Sequence, residues 1–131
     1  MANHLYSACV RPERGYCSIG YTATDANSFQ VSGLNPATGL DSNSYLGDRC
    51  QTDYIEIVGG GPTVGDVDNF DRFCGNVLNF DATSATLVTV FTNLMPYRVG
   101  VVFDGTELDD PTTPSVEYSK GFNIYYSQTA C

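Results

Sequence analysis

Cys50 is followed at three residues by Asp53, then by Tyr54, Ile55 and Ile57; past a glycine-rich, acidic stretch come Asp71, Phe73, Cys74 and Gly75. A cysteine at each end of a strand–loop–strand unit reads as a disulfide staple, the usual device of a small domain in an oxidising compartment. Asp53 stands where the chain enters a strand, a common place for a metal ligand. Cys9 and Cys17 bracket a reversal through Arg11, Pro12 and Gly15, where a bridge is sterically reasonable. It would close a short loop and stabilise less than a long one. Cys131 then remains, read either as a covalent link to a neighbouring module or second copy, or as a free thiol. With no Cys-x-x-Cys and only His4 as a histidine, a structural zinc site is not expected.

Other groupings point away from catalysis. The run of glycines at residues 59–61 precedes Pro62 and Gly65, but lacks the lysine and helix of a phosphate-binding loop, so it reads as a mobile hairpin tip. Asp66, Asp68 and Asp71 begin like a calcium loop, but Asp71 occupies the glycine position and Val77 the closing glutamate position. That stretch reads as a solvated acidic loop. One histidine near the N-terminus makes a Ser–His–Asp arrangement a poor expectation. No pattern marks the apolar pocket that a general acid needs. The net charge of −9 and six basic residues without a run argue against nucleic acid. A partner should be basic, or bridged by a cation.

The elements that must position these residues are strands. Residues 16–24 alternate Cys17, Ile19, Tyr21 and Ala23 with small polar neighbours, a period of two. Shorter signals fall on residues 28–32, 54–58, 85–92, 97–103 and 122–126. Helical spacing is nowhere sustained. Short strands separated by Gly, Pro, Asn and Asp predict an all-β antiparallel sandwich or barrel. Residues 33–49, 59–71 and 107–120 read as loops. Tyr21, Tyr54, Tyr97 and Tyr126 are expected in the core or at an edge. Tyr6, Tyr45 and Tyr118 are candidates for a binding face, because tyrosine suits interfaces. The length and the absence of a linker predict one domain over residues 1–131. No apolar run reaches the roughly 18 residues that a membrane span requires. The start is not a signal peptide, so secretion implies a leader removed or lying upstream, and Met1 is open to being non-native. No Asn-x-Ser/Thr sequon occurs.

At these residues the chain resembles a CUB domain. The matching stretches are Cys50 with Asp53, Tyr54, Ile55 and Ile57; Arg72, Phe73, Cys74 and Gly75; Asp104, Gly105 and Thr106; and Gly121, Phe122 and Tyr126. The opening around Cys9 and Cys17 resembles the second module of secreted arthropod tandem-CUB proteins. The resemblance implies a jelly-roll-like β-sandwich, a Cys50–Cys74 bridge and a secreted, non-catalytic module that binds protein. It also implies a calcium site in which Asp53, Asp104 and Thr106 take part. Tyr45 stands where the family has a further acid, leaving Asp48 or Asp41 to supply that oxygen if the loop is rearranged. In related domains a Lys or Arg of the partner inserts at this site. The alternative is that Asp53 caps a strand and Asp104 opens a turn. Two other roles are carried: a structural building block of a matrix, secretion or filament, which rests on Cys131 and on pairing edges, and a carbohydrate-binding jelly roll, which the lack of tryptophan disfavours.

Overall fold

The computed structural model describes residues 3–32, 44–51, 53–65, 69–81, 84–105 and 120–131, with only the backbone of Ser44, Tyr45 and Arg49. The strands are β1 (His4–Cys9), β2 (Tyr16–Ala23), β3 (Phe29–Gln30), β4 (Ser44–Leu46), β5 (Tyr54–Gly60), β6 (Phe70–Gly75), β7 (Thr89–Thr92), β8 (Arg98–Phe103), β9 (Gly121–Phe122) and β10 (Ile124–Ala130). All named pairings are antiparallel. One sheet runs β1-β8-β5-β6-β4, a second runs β10-β2-β7, and a two-stranded ribbon joins β3 to β9.

The period-two pattern decides which side chains meet. Ile55 lies opposite Val101 on one side and Phe73 on the other, so the five-stranded sheet presents Ile55, Phe73, Val99, Val101 and Phe103 inward. Ile19, Tyr21 and Ala23 of β2 and Val90 of β7 face them from the second sheet. All are buried, giving the two-layer sandwich that amphipathic strands require. Reciprocal backbone bonds join Gly61 to Phe91, sewing the two layers together, and Val31 to Gly75, tying the end of the β3–β9 ribbon to the five-stranded sheet.

Several expectations change. Cys17 is bonded to Cys131, with Cα atoms 5.0 Å apart, and not to Cys9. The reason is register: β10 runs back along all of β2, which brings Ala130 opposite Tyr16 and the C-terminus beside Cys17. Cys9 ends β1, which pairs with β8 in the other sheet, and its thiol is free and exposed. The odd cysteine is therefore Cys9, and Cys131 is not the linking thiol. The glycines after Val58 are not a hairpin tip either. Gly59 and Gly60 belong to β5, and Gly61 pairs with Phe91. Only the second half of the 85–92 run forms a strand. Tyr126 is 54% exposed despite its inward register, whereas Tyr97 is fully buried. Tyr118, the side chain of Tyr45 and most of the acidic loops lie outside the described residues.

Candidate functional site

Asp53 immediately precedes β5, and Asp104 immediately follows β8. These strands are antiparallel neighbours with Tyr54 opposite Val102, so the start of one and the end of the other share a rim of the sheet. There the Asp104 backbone N–H donates to Oδ1 of Asp53 at 2.8 Å. Asn3 joins them because β1 flanks β8 with His4 opposite Phe103; its N–H donates to the Asp104 carbonyl at 2.7 Å. Asn3 has φ of 58°, a left-handed conformation that asparagine tolerates better than most residues. A Cβ on Gly105 would lie 3.1 Å from Oδ1 of Asn3, so glycine lets the amide side chain sit against the chain.

The corner is anchored from below. Cys50 bonds Cys74 of β6, with Cα atoms 5.8 Å apart and both cysteines buried. Arg72 donates to the Cys50 carbonyl at 3.4 Å, and its guanidinium lies 4.7 Å from the Tyr54 ring centroid, a cation–π distance. Asp53 is 2% exposed, a carboxylate held in a nearly dry position. Burying it is favourable only with hydrogen-bond or charge partners, and the Asp104 N–H is one of them.

Of the residues singled out by sequence, Asp53 and Asp104 are therefore brought together. Asp48 is not part of this pair: it is exposed in a short 3₁₀ turn, Gly47–Arg49, and lines a hollow with Asn69, Phe70 and Asp71. Asp71, in β6, accepts from the Gly59 N–H at 2.8 Å. Thr106 and Asp41 lie outside the described residues, and among those described no three His, Cys, Asp or Glu side chains gather for a metal. The described donors at the corner are Asp53, Asp104 and Asn3, all hard oxygens of the kind calcium takes. Asn3 carries no sequence signal of its own; only the pairing of β1 with β8 reveals it.

A family model describing the animal CUB domain matches residues 1–129. The chain belongs to the animal CUB domain family. No curated protein and no solved structure gives a match. CUB domains are generally non-catalytic modules of extracellular proteins that mediate protein–protein interaction, and the two disulfides of this CUB domain suit an oxidising compartment. No helix among the described residues is long and apolar enough to cross a membrane.

Proposed function

We propose that this CUB domain is a secreted recognition module whose acidic corner, Asp53 with Asp104, docks a basic side chain of another extracellular protein with calcium as the bridge. The observation that supports it is the meeting of two carboxylate residues from adjacent strand ends, linked at 2.8 Å and held by a buried disulfide. Asp53, Asp104, Asn3 and Thr106 would hold the ion. Calcium would supply the charge balance that fixes two loop ends while leaving residual negative potential. The chain's net charge of −9 favours a cationic partner.

Calorimetric titration tests this. Calcium should bind with Kd on the order of 0.1–1 mM, as extracellular calcium modules do. Asp104→Ala should weaken it at least tenfold. At a hundredfold excess over Kd the melting transition should gain about 2.7 kcal/mol of stability. Absence of both heat and thermal shift would remove calcium from the proposal. Failure of the calcium-loaded protein to bind any panel of basic extracellular proteins would remove the role of the corner.

A second reading, a self-associating structural block, is favoured by the exposed thiol of Cys9 on the edge strand β1. It predicts a reducible dimer on non-reducing gels; a strictly monomeric native protein would exclude it.

A further inference from the structure

Along one side the two sheets stay apart. β1 is the edge of the five-stranded sheet and β10 the edge of the three-stranded one, and among the described residues no ladder joins them. Inward-facing residues are left uncovered there. Tyr6 lies opposite Val101 and Tyr126 opposite Tyr21, yet they are 51% and 54% exposed. Between them is a cleft of about 320 Å³, lined by Tyr6, Ala8, Val10, Tyr21, Ile124 and Tyr126 among others, with no Asp, Glu, Lys, Arg or His among the described residues that line it. Its volume and apolar walls suit one inserted group. Tyr21 is 2% exposed, and its hydroxyl has no hydrogen-bond partner among the described residues. Burial, then Tyr97, Cys9 and Tyr126, push its ionisation up to about 12. It therefore stays a neutral donor and acceptor without a counterpart.

The cleft continues into a second hollow of about 570 Å³ that shares Val10 and Tyr126 and adds Arg11, Glu13, Arg14 and Gln128. This hollow is preorganised. Gln128 accepts from the Glu13 N–H at 2.9 Å and donates to the Arg11 carbonyl at 3.0 Å. The Cys131 N–H donates to the Gly15 carbonyl at 3.0 Å, beside the Cys17–Cys131 bridge. Two of the six basic residues of the chain thus stand together on a tethered loop. Arg72 and Arg98, by contrast, are engaged by the Cys50 carbonyl and by Glu56. On a strongly acidic protein this groove is uncharged at one end and sets two arginines against one glutamate, Glu13, at the other.

We propose that the β1/β10 edge is a docking groove for an extended segment of a partner protein, with an apolar anchor in the cleft and a carboxylate facing Arg11 and Arg14. This rests on the reading of the chain as a protein-recognition module. Tyrosine fits the anchor, because its ring suits the apolar walls while its hydroxyl can stay at the open mouth in water. The unpaired edge of β1 offers main-chain donors and acceptors to an added strand. Tyrosine and arginine are the residue types that concentrate binding energy at interfaces. The charge is complementary to an acidic segment, opposite in sign to the partner of the Asp53 corner. A second copy fits less well, since two chains each at −9 repel before contact.

The test uses two fluorescein-labelled extended peptides of equal length, each with one tyrosine anchor, followed by two glutamates in one and two lysines in the other. Anisotropy should show the glutamate peptide binding at least tenfold tighter. Its amide shifts should map to β1, β10 and residues 11–14, and leave Asp53 and Asp104 unmoved. An Arg11→Glu, Arg14→Glu double variant, both changes lying in an exposed loop, should keep the wild-type circular dichroism and reverse the preference. Ala8→Trp, which fills the cleft, should weaken both peptides. Equal affinities, no binding at millimolar peptide, or shifts elsewhere overturn the groove. So does a dimer in light scattering that the double variant dissolves, which would make a second copy the occupant. Capture of an extracellular partner equally well by wild type and double variant overturns the groove but leaves the recognition role standing. Loss of the recognition role requires that wild type capture none.

Discussion

Tyr21 and Tyr97 carry phenolic oxygens into the core, and neither finds a hydrogen-bond partner among the described residues. Such a group costs about 1–3 kcal/mol relative to a satisfied one. For Tyr21 the same burial makes ionisation difficult, raising its pKa from 10.0 to about 12. The sign of the linkage follows. Below the unfolded value both states hold the proton, and stability is unaffected. Between pH 10 and 12 the unfolded chain loses its proton while the folded one keeps it, so stability falls as pH rises. At about 1.4 kcal/mol per unit, the loss across that window is about 2–3 kcal/mol. Urea denaturation of wild type and Tyr21→Phe at pH 9 and pH 12 isolates this contribution. The variant should be as stable as wild type or slightly more so at pH 9, and should lose about 2 kcal/mol less on going to pH 12. Parallel losses in the two proteins would show that Tyr21 is in contact with water.

The core faces of β2 and β8 were readable as alternation, since Ile19, Tyr21 and Ala23 and Val99, Val101 and Phe103 all supply the core, although the small residues between them on β2, Ser18 and Thr22, are buried as well. β1 was not, because all six of its residues are exposed and no apolar face marks it. Its place comes from pairing with β8, a contact between residues nearly a hundred positions apart. The same holds for the acidic corner. Asp53 and Asp104 were nameable as acids at strand ends, but Asn3 depends on β1, and their meeting depends on which strands are neighbours. The glycines at 59–61 were misread because composition records flexibility and not closeness. A Cβ on Gly60 would lie 2.7 Å from Cγ1 of Val90 and 2.8 Å from Cζ of Phe73, both fully buried. Glycine is there to let β5 press against β7, where Gly61 and Phe91 exchange backbone bonds. Gly60→Ala should therefore cost about 1–3 kcal/mol in chemical denaturation, as overpacked cores do. A loss below about 0.5 kcal/mol, the range of neutral surface changes, would mean that the seam can widen freely.

At the scale of the whole molecule, the two disulfides do different work. Cys50–Cys74 spans 24 positions and fixes the corner beneath Asp53. Cys17–Cys131 spans 114 positions and fastens the last strand to the second within the three-stranded sheet, holding the loop that carries Arg11 and Arg14. In the chain-entropy description these loops are worth about 3.5 and about 4.8 kcal/mol. The longer bridge joins two exposed cysteines, so its replacement by serine leaves no cavity. A Cys17→Ser, Cys131→Ser variant should thus lose about 4–5 kcal/mol by urea denaturation, nearly all of it through the unfolded chain. Alkylation of the native, unreduced wild type should label one thiol, on the peptide containing Cys9, since the other four cysteines are bonded. Labelling of Cys131 instead would break the link between the groove and the tethered edge strand, because β10 would then be held along β2 by backbone bonds alone. With the bridge intact, loosening should appear only after reduction, as faster amide exchange in residues 11–15 and 128–131 than in β2.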